Sequence, residues 1–330
     1  MTLIMTTQPL ATCSSSLVDI LILGAGWTST FLIPLLKAQN ITYAATTTSG
    51  RDGTLKFKFS LPKTDNNGQE LEPDLSQYDA LPTAKTILIT FPLRGAEETE
   101  FLVTSYLKTH PQSSDSSSTS ETGFGSSNDS KPKHHYQFIQ LGSTGIWTIP
   151  SQPTWLTRHS AYNTSDSRAQ AEDALLSLGG CVLNLAGLWG GQRNPRNWID
   201  RVASTKDMLA GKRSLHLIHG LDVARGIVAV HGKWDEAAAQ RFMLTDLTVY
   251  DWWSLILGFA GELDVENGDA KRAGKQVNWI GELMAEQDVR ALPRDMETLG
   301  RCYDTREFWS TFGIMPTKSR VSSAVVGGQY

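Results

Sequence analysis

The run LILGAGWTSTFLIPLL (21–36) sets two glycines directly after an apolar stretch and at the start of a helical pattern. This is the arrangement that holds a dinucleotide by its phosphates. Gly24 permits the tight turn, and Gly26 lets the backbone approach the pyrophosphate. The free N–H groups of Trp27, Thr28 and Ser29 would then face that anion at the positive end of the helix. The third glycine position of the pattern holds Ser29, which adds a small side chain where helix and strand pack closely. The plainer alternative is a glycine turn that only connects strand to helix.

A second group follows at the end of the next apolar run: Thr47, Thr48, Ser49, Gly50 and Arg51. A site for NAD needs a carboxylate here to bond the ribose 2′-hydroxyl, whereas hydroxyls with a guanidinium suit a 2′-phosphate. NADP is therefore favoured over NAD. Asp52 keeps NAD open, and Arg51 could also be a solvated loop charge.

Elements that can position these groups are legible along the chain. Apolar, β-rich runs at 18–23, 41–46, 86–91, 136–141 and 181–186 alternate with helical patterns at 28–39, 96–108 and 165–178. Alternation of this kind means a parallel sheet, and runs apolar on both faces mean strands covered by helices on both sides. The segment 54–60 alternates Leu55, Phe57 and Phe59 with polar residues and reads as an edge strand. The fold class expected is a Rossmann-type doubly wound α/β sheet with a smaller, mainly helical C-terminal substrate domain. Its boundaries are a flexible lead at 1–17, a dinucleotide-binding domain at 18–190, and a substrate domain with polar tail at 191–330. Within the first domain, 111–133 reads as a disordered Ser-rich insertion, while 214–232 looks like a strand and helix returning to the sheet. The tryptophans Trp252, Trp253, Trp279 and Trp309 fall in helical stretches and are expected in a core.

Composition narrows the function classes. Thirty Lys and Arg against 34 Asp and Glu give a net charge of −4, far from the basic excess of a duplex binder, so no nucleic-acid partner is expected. The apolar, uncharged run 20–36 falls short of a membrane span and is broken by Gly24, Gly26 and Pro34. Three scattered cysteines form neither a disulfide framework nor a CxxC metal site, which fits a cytoplasmic protein without a metal. His134 and His135 lack partners at ligand spacing.

Taken in order, these pieces resemble the extended short-chain dehydrogenase/reductases, the NAD-dependent epimerase/dehydratase family, and within it an atypical YeeZ-like branch. The resemblance runs from residue 18 to about 316. It rests on GAGWTST at Gly24, FPLRG at Phe91, LGSTGIW at Leu141, TSDSRAQAE at Thr164, NLAGLWGGQR at Asn184, LIHGLDVARGI at Leu217 and YDTREFWSTFGIMP at Tyr303. It implies that Phe91, Pro92 and Leu93 lie against the cofactor and that Trp147, Trp189 and Arg193 face a substrate. It also implies a homodimer through two sheet-flanking helices, although the residues themselves leave the oligomeric state open.

Active members of that family carry a serine or threonine after the fifth strand and a Tyr-x-x-x-Lys pair on the next helix. Ser143 takes the serine position, but Thr164 stands where tyrosine belongs and Arg168 where lysine belongs. A threonine hydroxyl is far too weak an acid to replace a phenol with a pKa of about 10. Arg168 can still bind a ribose or phosphate oxygen. Tyr162, two residues upstream of Thr164, could supply a phenol if the helix start is distorted. The resemblance implies that the YeeZ-like branch has lost the pair. Plainer roles stand beside these: Arg168 and Glu172 as a surface i,i+4 pair, Ser143 as a turn residue, Arg193 as a solvated linker charge, and His219 with Asp222 as structural groups. Two functions are expected from this: an NADP-dependent oxidoreductase or epimerase acting on an unidentified small molecule, or an NAD(P)-binding sensor or scaffold without turnover.

Overall fold

The computed structural model describes residues 17–62, 72–111, 136–149, 151–260, 270–319 and 321. The expected insertion at 111–133 lies outside the described residues except for Pro111. So do His134, His135, the lead before Leu17 and nearly all of the polar tail.

Seven parallel strands form one sheet. They are β1 (Val18–Leu23), β2 (Tyr43–Thr47), β3 (Leu55–Lys56), β4 (Ala84–Ile89), β5 (Gln137–Ser143), β6 (Cys181–Leu185) and β7 (Arg241–Leu244). Their spatial order is β7-β6-β5-β4-β1-β2-β3, with Ile20 opposite Tyr43 on one side and Thr86 on the other. This is the Rossmann-like arrangement, and β3 is its edge strand. The order in which strands are added reverses between β1 and β4, the chain stepping outward to β2 and β3 on one side and to β4 and β5 on the other, so a crevice opens at their carboxyl ends.

Both faces of the sheet are buried because both residue parities along the strands are apolar. On one face Ile20, Ile22, Leu88, Ile139 and Leu183 pack under α1 (Ser29–Ala38) and α4 (Gly220–Gly232). On the other, Leu21, Leu23, Ile87 and Ile89 pack under α2 (Gly95–Thr109) and α3 (Ser167–Ser177). Each such buried aliphatic side chain contributes about 1.5–3 kcal/mol relative to exposure. The start of α3 is fixed by Asp166, whose carboxylate accepts hydrogen bonds from the N–H groups of Arg168 (2.8 Å) and Ala169 (3.2 Å).

A third core gathers Trp189, Trp252, Trp253, Ile256, Ile280 and Leu283 around α5 (Trp252–Ala260) and α6 (Ala270–Glu286). Trp279 packs half-buried against it. Trp309, on α7 (Arg306–Phe312), belongs instead to the core of the sheet, where Phe308 and Phe312 pack against Phe242 of β7.

The stretch 214–232 differs from its expected course. Its helix, α4, does cover the sheet, but its strand residues pair elsewhere. Ser214–Leu215 runs antiparallel to Tyr250–Asp251, and Leu217–His219 runs parallel to Gly187–Trp189. The reason is competition for the sheet edge: the hydrogen-bonding positions beside Cys181–Leu185 are filled by β7, leaving only the extension beyond Ala186.

Candidate functional site

The crevice at the strand ends is a cleft of about 730 Å³. Its first wall is the turn after β1. Gly24 has φ +90, and a Cβ there would press on Thr90 Oγ1 at 2.9 Å and on the Phe91 ring, so only glycine suits this position. Thr90 fastens the turn by donating its hydroxyl to the Leu23 and Gly24 carbonyls, while the Gly24 N–H donates to Thr46 Oγ1 at 3.0 Å.

The backbone N–H groups of Trp27 and Thr28 take no partner among the described residues. They are the donors an anion would meet. Ser29 does not join them, because its N–H already donates to the Gly26 carbonyl at 3.1 Å and its side chain is buried.

At the end of β2, Thr47 Oγ1 accepts from the N–H groups of Gly50 (3.0 Å) and Arg51 (3.2 Å) and bonds to Thr54 Oγ1 (2.8 Å). This tightens the loop so that Thr48, Ser49 and Arg51 line the cleft. Arg51 is exposed, and its nearest acid is the equally exposed Asp52 at a loose 3.9 Å. Phe91 and Pro92 line the opposite wall, whereas Leu93 is fully buried in the core beneath.

Arg168, from the first turn of α3, and Arg193 complete the lining. Arg51, Arg168 and Arg193 are its charged members, with no carboxylate, lysine or tyrosine among the lining residues. On a chain with a net acidic balance, three guanidiniums converge on one cleft.

The floor is where sequence reasoning missed a constellation. Glu172 is not the outer half of a surface pair with Arg168; it is fully buried. Its Oε1 accepts from the Ser143 N–H at 3.4 Å, and its Oε2 accepts from Asn184 Nδ2 at 2.8 Å. Arg241 lies 3.3 Å from the same Oε2. Asn184 also donates to the Ser143 carbonyl at 3.0 Å. Gly142 makes room for this group, since a Cβ there would meet Asn184 Nδ2 at 2.6 Å and collide with the Glu172 carboxyl.

The end of β5 is thus held from below by a carboxyl and an amide. Ser143 Oγ accepts from the Gly145 N–H at 3.1 Å, and its own proton remains free to donate. Two signals could have found the floor: Asn184 is the polar residue inside the apolar run CVLNL, and Glu172 shares a helix face with Ala169 and Leu175.

Burial raises the Glu172 carboxyl from its ordinary 4.5 to about 7, against the opposing pull of the Asn184 hydrogen bond and Arg241. The folded protein therefore holds a proton between those values that the unfolded chain does not, and its stability falls as pH rises through that window. Glu172→Gln is expected to remove this contribution. Chemical denaturation between pH 4.5 and 7 should show the variant losing less stability than the parent. Asp246, His216 and His219 also titrate abnormally but are common to both proteins, so the difference isolates Glu172.

The remaining expected residues sit away from the lining, and Ser143 itself lies one residue beyond Gly142, the last residue of β5 in the lining. The Tyr162 phenol donates to Asp173 Oδ1 at 2.7 Å, with the Arg241 guanidinium 4.4 Å over its ring. Thr164 is exposed before the helix start. Trp147 is buried, its indole N–H donating to the Ser160 carbonyl at 3.2 Å, and Trp189 is buried edge-on to His219. His219 caps α4 by accepting from the Leu221 N–H, and Asp222 binds the backbone of Thr317 and Lys318. Among the described residues no cluster of three or more His, Cys, Asp or Glu could hold a metal, and no helix is long and apolar enough to cross a membrane.

No protein-family model and no curated protein matches the chain. Solved structures do match it. A short-chain dehydrogenase/reductase superfamily protein from Agrobacterium tumefaciens with bound NAD is 11% identical, with a TM-score of 0.53 over 90% of this chain and 92% of that one. dTDP-glucose 4,6-dehydratase from Bacillus anthracis in complex with NAD is 12% identical, with a TM-score of 0.52 over 94% and 95%. Yeast methylglyoxal/isovaleraldehyde reductase Gre2 complexed with NADPH is 13% identical, with a TM-score of 0.52 over 93% and 95%. At such identities the likeness defines the fold: a Rossmann-like α/β sheet of the kind found in short-chain dehydrogenase/reductase and epimerase/dehydratase structures.

Proposed function

We propose that this protein binds NADP(H) in the cleft and acts as a short-chain-type oxidoreductase or epimerase on a small molecule. The observation that carries the reading is the lining itself: two unpartnered backbone amides at a helix start and three guanidiniums, with no carboxylate to repel a polyanion. The residues fit the cofactor. Trp27 and Thr28 would hold the pyrophosphate, Arg51 with Thr48 and Ser49 the 2′-phosphate, and Arg168 a ribose or phosphate oxygen. A bound nicotinamide would supply hydride transfer. Ser143, fixed from below by Glu172 and Asn184, would donate its hydroxyl proton to a substrate oxygen. Assignment to the YeeZ-like branch, a cytoplasmic location and a homodimer belong to the same proposal.

A second reading, an NAD(P)-binding sensor or scaffold, is favoured by one observation. The Tyr162 phenol is committed to Asp173, Thr164 is exposed, and no phenol or ammonium lines the cleft.

Titration with NADPH and NADH, followed by nicotinamide fluorescence, tests the cofactor. The parent is expected to prefer NADPH, and Arg51→Ala to reduce that preference about tenfold or more by removing a charge-assisted contact to the 2′-phosphate. An unchanged preference would remove that role from Arg51. Screening carbonyl and sugar substrates for nicotinamide oxidation, with Ser143→Ala as control, then separates enzyme from sensor.

A further inference from the structure

The residues Gly190 to Arg193 form a tight turn closed by reciprocal backbone hydrogen bonds, Gly190 N–H to the Arg193 carbonyl (2.9 Å) and Arg193 N–H to the Gly190 carbonyl (3.1 Å). The turn is seated on His219, whose ring occupies the space a side chain at Gly190 would need. From the phosphate turn, Trp27 reaches across to it. The indole N–H of Trp27 donates to the Gly190 carbonyl at 3.1 Å, and the Arg193 guanidinium lies 4.4 Å over the indole ring. Beyond that stacking, the Arg193 guanidinium has no hydrogen-bond or ion-pair partner among the described residues, and Arg193 lines the cleft. Trp27 is also the residue whose backbone N–H is unpartnered, so the free guanidinium stands one side chain away from the free amides.

We propose that Arg193 is a phosphate clamp for the cofactor, not a substrate contact. Stacked on Trp27, it meets the pyrophosphate of a bound dinucleotide from the side opposite the start of α1. The indole acts as the platform that holds the guanidinium in place before the ligand arrives, which lowers the ordering cost of binding. Arg51, at the end of β2, is left to the 2′-phosphate, so the two arginines divide the anionic groups between them. This assignment rests on the cofactor reading given above.

Two fragments separate the roles. ADP-ribose carries the pyrophosphate without a 2′-phosphate, and 2′-AMP carries the reverse. Calorimetric titration of both into the parent, Arg193→Ala, Arg193→Lys and Arg51→Ala, each checked for fold by circular dichroism, tests the division. Arg193→Ala is expected to weaken ADP-ribose about tenfold, the value of one charge-assisted contact, and to leave 2′-AMP within about twofold. Arg193→Lys keeps the charge but loses the planar stack, and is expected to fall between parent and alanine. Arg51→Ala should show the opposite selectivity. ADP-ribose affinity unchanged in Arg193→Ala, or 2′-AMP weakened as much as ADP-ribose, would overturn the clamp while leaving the cofactor reading in place. A parent that binds neither fragment nor NADPH would overturn both.

Discussion

Gly26→Asp is expected to abolish NADPH binding while the protein remains folded. A Cβ at this position meets nothing nearer than the Gly24 carbonyl at 3.9 Å, so the new side chain has open space and the turn need not shift. That space is where the pyrophosphate must come to reach the N–H groups of Trp27 and Thr28. A carboxylate placed there faces a like charge at about 4 Å, worth about 4 kcal/mol in a partly exposed site, which is a loss of about a thousandfold in affinity. Calorimetry with NADPH checks it, alongside thermal unfolding to show that stability is kept. A folded Gly26→Asp variant that binds NADPH like the parent would move the nucleotide out of this cleft.

The largest effect on stability is expected far from the cleft, at Asp251. This buried carboxylate accepts from Arg294 Nη2 (2.7 Å), Arg294 Nε (3.0 Å), and the backbone N–H groups of Arg294 (2.9 Å) and Trp253 (3.0 Å). The Arg294 guanidinium also stacks 3.8 Å over the Trp253 ring and donates to the Lys212 carbonyl at 2.6 Å. Asp251→Ala leaves this guanidinium buried without its counter-charge and should cost about 3–5 kcal/mol. Urea denaturation checks the figure. A cost below about 1 kcal/mol would mean that the C-terminal helices do not depend on this pair.

Much of the sheet was readable because a strand buried on both faces has no choice of composition. ILIL (20–23) can only be interior, and the glycine turn that follows it marks where a ligand would lie. Part of the cleft wall was readable for a related reason, since Gly24, Gly26, Thr48, Ser49 and Arg51 reach the lining through local backbone and loop position. What escaped depends on distant parts of the chain meeting. Glu172 looks like half of an i,i+4 surface pair until α3 is docked, and only docking sets its carboxyl against Asn184 and beneath Gly142. Arg193 reads equally well as a substrate contact or as linker charge until Trp27, far back in the chain, comes to lie under it. The strand residues of 214–232 have the apolar composition of a sheet strand, but nothing local shows that β7 takes the edge beside them.

That last feature bears on how the protein is made. The outermost strand of the seven-stranded sheet, β7, follows an excursion from 186 to 240, and it is covered by Phe308 and Phe312 from nearer still to the C-terminus. During synthesis the first six strands emerge while their neighbour and its cover are still untranslated. Cys181–Leu185 must wait as an open, apolar edge, and the closure that completes it spans a long loop. The sheet is therefore not a piece of chain that finishes before the rest begins. It is completed by residues from beyond 240, and the interval before they arrive is when a nascent chain is most exposed to pairing with a neighbour.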